Sequence, residues 1–273
     1  MRVINWDELI CGGWEPPGKT AMTIGVFDGV HRGHRELIGK IVRKSPEYVP
    51  AVVTFKDNPK KITRPASFEG DILSLNQKLD LFAGMGTVLV IVIDFSGDFS
   101  KLGGRDFMGL LAARGKLGFL SIGENFHCGY RHKADAEEVR KIGAACKIRV
   151  EVMPPVLEDS EPVSSSRIRA AVKTGALAAA AALLGRNFEA DLSGLPLSSR
   201  EGGTVFNIGE NSPGRAGFSE GSRVMPPAGS YGVLVHGGEF REVIRTEALI
   251  KGGALFIPLQ CTTADGVRIE FII

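Results

Sequence analysis

Two histidines stand three residues apart at the end of GVFDGVHRGH, residues 25–34, in a chain that has only five. An imidazole, neutral or protonated, can donate a hydrogen bond to a phosphate oxygen. The glycines at 25, 29 and 33 let the backbone approach a ligand closely or take positive φ. A helix is expected to begin near Gly33 or His34, and its free N–H groups and dipole favour an anion. His31 and His34 would project from this turn towards that anion and stabilise charge developing at phosphorus. Two other readings stay open. The pair could ligate a metal, although no further His or Cys lies close in sequence, or it could serve only as turn and cap residues.

A second cluster lies at residues 163–169, VSSSRIR. Three hydroxyls at a helix start can cap that helix, and Arg167 and Arg169 on an open face would be solvated. The same groups, hydroxyls, free N–H groups and an arginine at one helix start, also form a clamp for polyphosphate.

The elements that must position these residues follow from the apolar pattern. Residues 21–27, 49–55, 87–95, 119–122 and 149–153 read as strands, and most are continuous apolar runs. Between them, residues 33–43, 72–84, 104–113 and 135–146 suit helices, the second starting near Ser74 and stopping at Gly84. Strands alternating with helices predict a parallel sheet covered on both faces, a Rossmann-like α/β domain. Ligands bind such sheets at the carboxyl ends of the strands, where the strand order reverses. Residues 164–184 are expected to be helical with a break at Thr174–Gly175. Beyond residue 188 the chain is rich in glycine, lacks a helical period and predicts a small antiparallel, barrel-like β domain. The expected domains are therefore 1–188 and 189–273.

Composition narrows the function classes. Of 273 residues 44% are apolar and 23% charged, with a net charge of +2, so bulk electrostatic binding of nucleic acid or an anionic membrane is not expected. No apolar run is long enough to span a bilayer, and the acidic N-terminal stretch does not read as a signal peptide. Cys11, Cys128, Cys146 and Cys261 are scattered, without metal-ligand spacing. Reduced thiols and a cytoplasmic location are expected.

Five motifs occur in order: GVFDGVHRGH, VTFKDNP at 53–59, GENFHCG at 123–129, VSSSRIR, and LLGRNF at 183–188. Together they resemble the nucleotidyltransferase superfamily and, more narrowly, the FAD synthetase module of bacterial bifunctional riboflavin kinase/FAD synthetases, over about residues 18–188. The resemblance implies transfer of AMP from ATP to FMN, with release of pyrophosphate. ATP and FMN are then the substrates, and Mg²⁺ enters with ATP rather than on dedicated protein ligands. It implies catalytic roles for His31, His34, Asn125, Ser166 and Arg169. Gly25, Phe27, Asp28, Gly33, Ser164 and Ser165 would contact ATP. Phe55, Asn58, Pro59 and Phe126 would lie at the flavin. After Thr54-Phe55 the family carries an acidic residue and Pro-His-Pro, where this chain has Lys56, Asp57, Asn58 and Pro59.

In the same family a riboflavin kinase barrel follows. Ser219, Glu220, Gly221 and Ser222 stand where its Pro-Thr-Ala-Asn is expected, and Leu255 stands where its catalytic glutamate is expected. The resemblance thus implies a barrel kept as scaffold without kinase chemistry, with Glu220 as the one carboxylate that could substitute. Two further readings remain: transfer to another phosphorylated cofactor precursor, and a non-catalytic flavin- or nucleotide-binding regulator.

Overall fold

The computed structural model describes residues 1–95, 99–130, 134–209 and 223–273. The chain forms two compact units, residues 1–63 with 78–162, and residues 64–77 with 163–273. The segment 64–77 therefore leaves the first unit and joins the second, a discontinuity that a single boundary at 188 does not contain.

The first unit contains β1 (Arg2–Asn5), α1 (Trp6–Ile10), β2 (Thr20–Ile24), α2 (Arg32–Val42), β3 (Val49–Phe55) and α3 (Lys60–Thr63). After the excursion it continues with α4 (Leu75–Gly84, which begins inside that excursion), β4 (Leu89–Ile93), α5 (Gly104–Ala113) and β5 (Leu117–Gly123). It closes with the short pair β6 (His127–Cys128) and β7 (Ala134–Asp135), α6 (Ala136–Ala145), β8 (Arg149–Met153), and the hairpin β9 (Leu157–Glu158) and β10 (Glu161–Pro162). Six strands pair in parallel in the order β1-β4-β3-β2-β5-β8. The central strands are buried on both faces, as with TAMTI in β2 and LVIVI in β4, so they carry no polar alternation. Met22, Ile24, Val53 and Ile91 face a core shared with Phe107 and Leu111 of α5 and Val139 and Ile142 of α6. Helix α2 packs on β2, β3 and β5 and buries Ile38 and Ile41.

Two local features depart from the sequence reading. Strand β2 stops at Ile24 rather than running to Phe27, because the chain turns sharply there. Strand β1 was not expected. Only one of its four residues is buried, and it adds to the sheet by backbone pairing beside β4, while Asn5 caps α1.

Besides residues 64–77, the second unit contains α7 (Ser165–Lys173) and α8 (Leu177–Leu184). The break between them falls where expected, with Thr174 as C-cap and Gly175 at φ +77°. There follow β11 (Glu189–Asp191), β12 (Leu197–Arg200), β13 (Gly203–Asn207), β14 (Gly229–Gly237), β15 (Phe240–Lys251), β16 (Ala254–Ile257) and β17 (Val267–Phe271). They form one antiparallel, barrel-like sheet in the order β11-β17-β14-β15-β16-β13-β12. Phe206, Val233, Val235, Leu255, Ile257 and Phe271 fill its core. Among the described residues no helix is long and apolar enough to cross a membrane. None of the four cysteines is in a disulfide.

Candidate active site

The strand order of the first sheet reverses between β2 and β5. The carboxyl ends of these two strands, joined by that of β3, carry every site residue that the sequence placed in residues 25–126.

The turn after β2 is built around aromatic packing. Phe27 takes φ +52° and Val30 takes φ +38°, a region that costs a bulky or β-branched side chain energy and needs support from its surroundings. The support is visible. The Phe27 ring is buried edge-on against Phe82 of α4 and His34 of α2, at centroid distances of 5.7 and 5.1 Å. A Cβ at Gly25 would come within 3.2 Å of the Phe27 ring and press on it. Asp28 is buried in the same turn, and Gly29 takes φ +91°.

His31 is the N-cap of α2, with extended backbone, and its Nδ1 accepts a long hydrogen bond of 3.4 Å from the backbone N–H of His34. The cap reading of this residue is thus real, and it leaves the other ring nitrogen, Nε2, out of the cap. Gly33 leaves room for that ring, since a Cβ would meet it at 3.3 Å. The two imidazoles stack at 3.6 Å with 19° between planes. Burial, then the neighbouring His31, then Lys78 hold the His34 imidazole well below the ordinary histidine range, so it is neutral at pH 7. Its Nδ1 is buried without a hydrogen-bond partner among the described residues. So are the hydroxyls of Thr23 and Ser121, which are Cα partners across β2 and β5.

At the end of β3, Phe55 packs edge-on against Phe95 and Phe99 at 5.9 and 6.2 Å. Lys56 is exposed and pairs with Asp94 at 3.9 Å. Asn58 is buried, and its Oδ1 accepts from the backbone N–H of Lys60 at the start of α3, with Pro59 between them. Past β5, Asn125 is exposed in a turn and Phe126 packs partly into the core. Sequence reasoning missed Lys78. This lysine is buried on α4, and its Nζ donates to the carbonyls of Val26 and Phe55 at 3.3 and 3.1 Å. The available signal was a charged residue one helical turn before Phe82 on a face that otherwise points inward.

In the second unit, Ser164 caps α7, its Oγ accepting from the backbone N–H of Arg167 at 3.3 Å. Ser165 and Ser166 form the first turn, with Ser166 exposed. Arg169 is not on a solvated face. It is buried, and its Nε donates to the Gly70 carbonyl at 2.8 Å. Leu255, where a kinase glutamate was sought, is a buried core residue of β16 paired with Phe206 and Ile250. Ser219, Glu220, Gly221 and Ser222 lie outside the described residues. Among the described residues no three His, Cys, Asp or Glu side chains gather in a way that could hold a metal ion.

Residues 15–167 match the family model described as FAD synthetase. The chain belongs to this family. Members of the FAD synthetase family similar to it include the bifunctional riboflavin kinase/FMN adenylyltransferase of Escherichia coli K12, 29% identical over 226 residues that cover 81% of this chain and 70% of the relative. The enzyme of that name from Buchnera aphidicola of Acyrthosiphon pisum is 26% identical over 192 residues, 69% of this chain and 61% of its own length. That from Bacillus subtilis 168 is 25% identical over 232 residues, 80% and 68%. A crystal structure titled as a macrolide-efflux protein from Streptococcus pneumoniae superposes with a TM-score of 0.79 at 20% identity, covering 99% of this chain and 89% of that one. At that identity the likeness shows the fold. The family match spans both the histidine turn and most of the serine motif.

Proposed function

We propose that the chain is an FMN adenylyltransferase that takes AMP from Mg–ATP and gives FAD and pyrophosphate. An FMN phosphate oxygen forms a bond to the α-phosphorus, the bond from that phosphorus to the bridging oxygen of the β-phosphate breaks, and pyrophosphate leaves with the electron pair. The nucleophile is already ionised, so no general base is required. The work left to the protein is to position two anions and to stabilise the charge spread over the α-phosphate. Magnesium enters as part of the ATP substrate and offsets phosphate charge.

The observation that carries this reading is the stacked imidazole pair at the reversal point of the sheet. His31 caps the helix through Nδ1, and a neutral His34 is stacked on it. Ser164, Ser165, Ser166 and Arg169 take the phosphate roles that the family pattern gives them, and Phe55, Asn58, Pro59 and Phe126 the flavin side. The same reading leaves the second unit without riboflavin kinase activity, supported by Leu255 at a buried core position. The test is incubation of the purified chain with Mg–ATP and either FMN or riboflavin, followed by chromatography. FAD from FMN and no product from riboflavin is the expected result. No FAD from FMN overturns the transferase reading, and FMN from riboflavin overturns the loss of the kinase.

A further inference from the structure

Lys78 is 5% exposed, and its buried ammonium donates to two backbone carbonyls. The two carbonyls it reaches belong to different loops. Val26 leads into the strained Phe27 turn and also accepts from Thr54 Oγ1 at 3.3 Å, while Phe55 leads into the 56–59 loop. One turn further along the same face of α4, Phe82 supports the ring of Phe27. A side chain of similar length without charge, such as methionine, would fill this space without the cost of taking an ammonium out of water. Packing alone therefore does not account for a lysine here.

We propose that Lys78 is a positioning residue for the nucleotidyl transfer: it ties the histidine turn to the 56–59 loop and keeps a positive charge beside the phosphate-binding imidazoles. The proposal rests on the FMN adenylyltransferase reading. It joins the ATP side of the site to the acceptor side through one buried side chain on neither loop. It also accounts for part of the neutrality of His34, which follows first from burial, then from His31 in its own turn, and then from Lys78 on α4.

The experiment compares the parent chain with Lys78→Met and Lys78→Arg, with His31→Ala as the inactive reference. FAD formation gives kcat and KM for ATP and FMN, NMR titration follows the His34 imidazole, and thermal unfolding reports stability. Lys78→Met should lower kcat/KM for both substrates by about 10–100-fold, the scale of a misplacement of about 1 Å remote from the chemistry. The His34 titration should move up towards the ordinary histidine value in Lys78→Met and stay low in Lys78→Arg, which should recover part of the activity. Parent-like kinetics in Lys78→Met overturn the proposal. So does an activity loss that only follows a lowered melting temperature while the His34 titration is unmoved. If the parent makes no FAD, the functional reading fails by itself, and the His34 titration alone then decides whether the Lys78 charge acts on the site.

Discussion

Nδ1 of His31 accepts from the backbone of His34, whereas Nδ1 of His34 is buried with no donor to it among the described residues. The second imidazole resists protonation in the folded chain, chiefly through burial. In the unfolded chain it titrates near about 6.5. Its folded pKa is the lower of the two, so its contribution to stability is full above about pH 6.5 and is lost as pH falls towards the folded value. His34→Gln should flatten this limb in a series of denaturant melts between pH 7 and pH 5. An unchanged slope would mean that the ring is not neutral in the fold. At this scale the sequence was partly legible. The histidine pair and its glycines announce themselves by type and spacing. Phe27 in a left-handed conformation does not, since nothing in the letters places Phe82 against it. Nor do the Thr23 and Ser121 hydroxyls, which read as ordinary strand residues until the register makes them neighbours.

Among the elements, the four inner strands of the parallel sheet were legible because burial on both faces leaves continuous apolar runs. Strand β1 was hidden because its place at the edge depends on backbone pairing with β4, which leaves little pattern in four side chains. Helix starts were read better than strand ends, since caps are local chemistry. Ser164 shows this, with its Oγ on the N–H of Arg167. Ser164→Ala should destabilise the chain by about 1 kcal/mol, the usual worth of a serine cap, with Ser164→Asp restoring it. Equilibrium unfolding checks this, and no change in the alanine variant would show that the 3.3 Å bond contributes nothing to stability.

For the whole molecule, the feature least visible in the sequence is the segment 64–77, which is held by several partners distant in the chain. Gly70 accepts from Arg169, Glu69 pairs with Lys173, and Val224 donates to Asp71. Ser74 donates to the buried Asp191, and Gln77 donates to Glu189. Burial opposes charge on Asp191, yet hydrogen bonds from Ser193 and Ser74 and the charge of Arg223 bring its carboxyl below the ordinary value. Ser74→Ala removes one of these donors and should cost about 1–3 kcal/mol. It should also speed cleavage after Glu69 by a glutamate-specific protease in limited proteolysis, and a parent-like digest together with a parent-like melt would show that the segment is held by its other partners. A cut after residue 188 would remove Glu189 and Asp191 from this arrangement altogether. The same wiring sets a schedule for the growing polypeptide. Gly70 leaves the ribosome 99 residues ahead of Arg169, and Ser74 leaves 117 ahead of Asp191. At about 5–20 residues per second, the first of these delays lasts roughly 5–20 s. Throughout that interval Phe68, Ile72 and Leu73, all buried in the finished fold, belong to a nascent segment whose partners have not yet been made, which makes it a natural stretch for a chaperone to hold during translation.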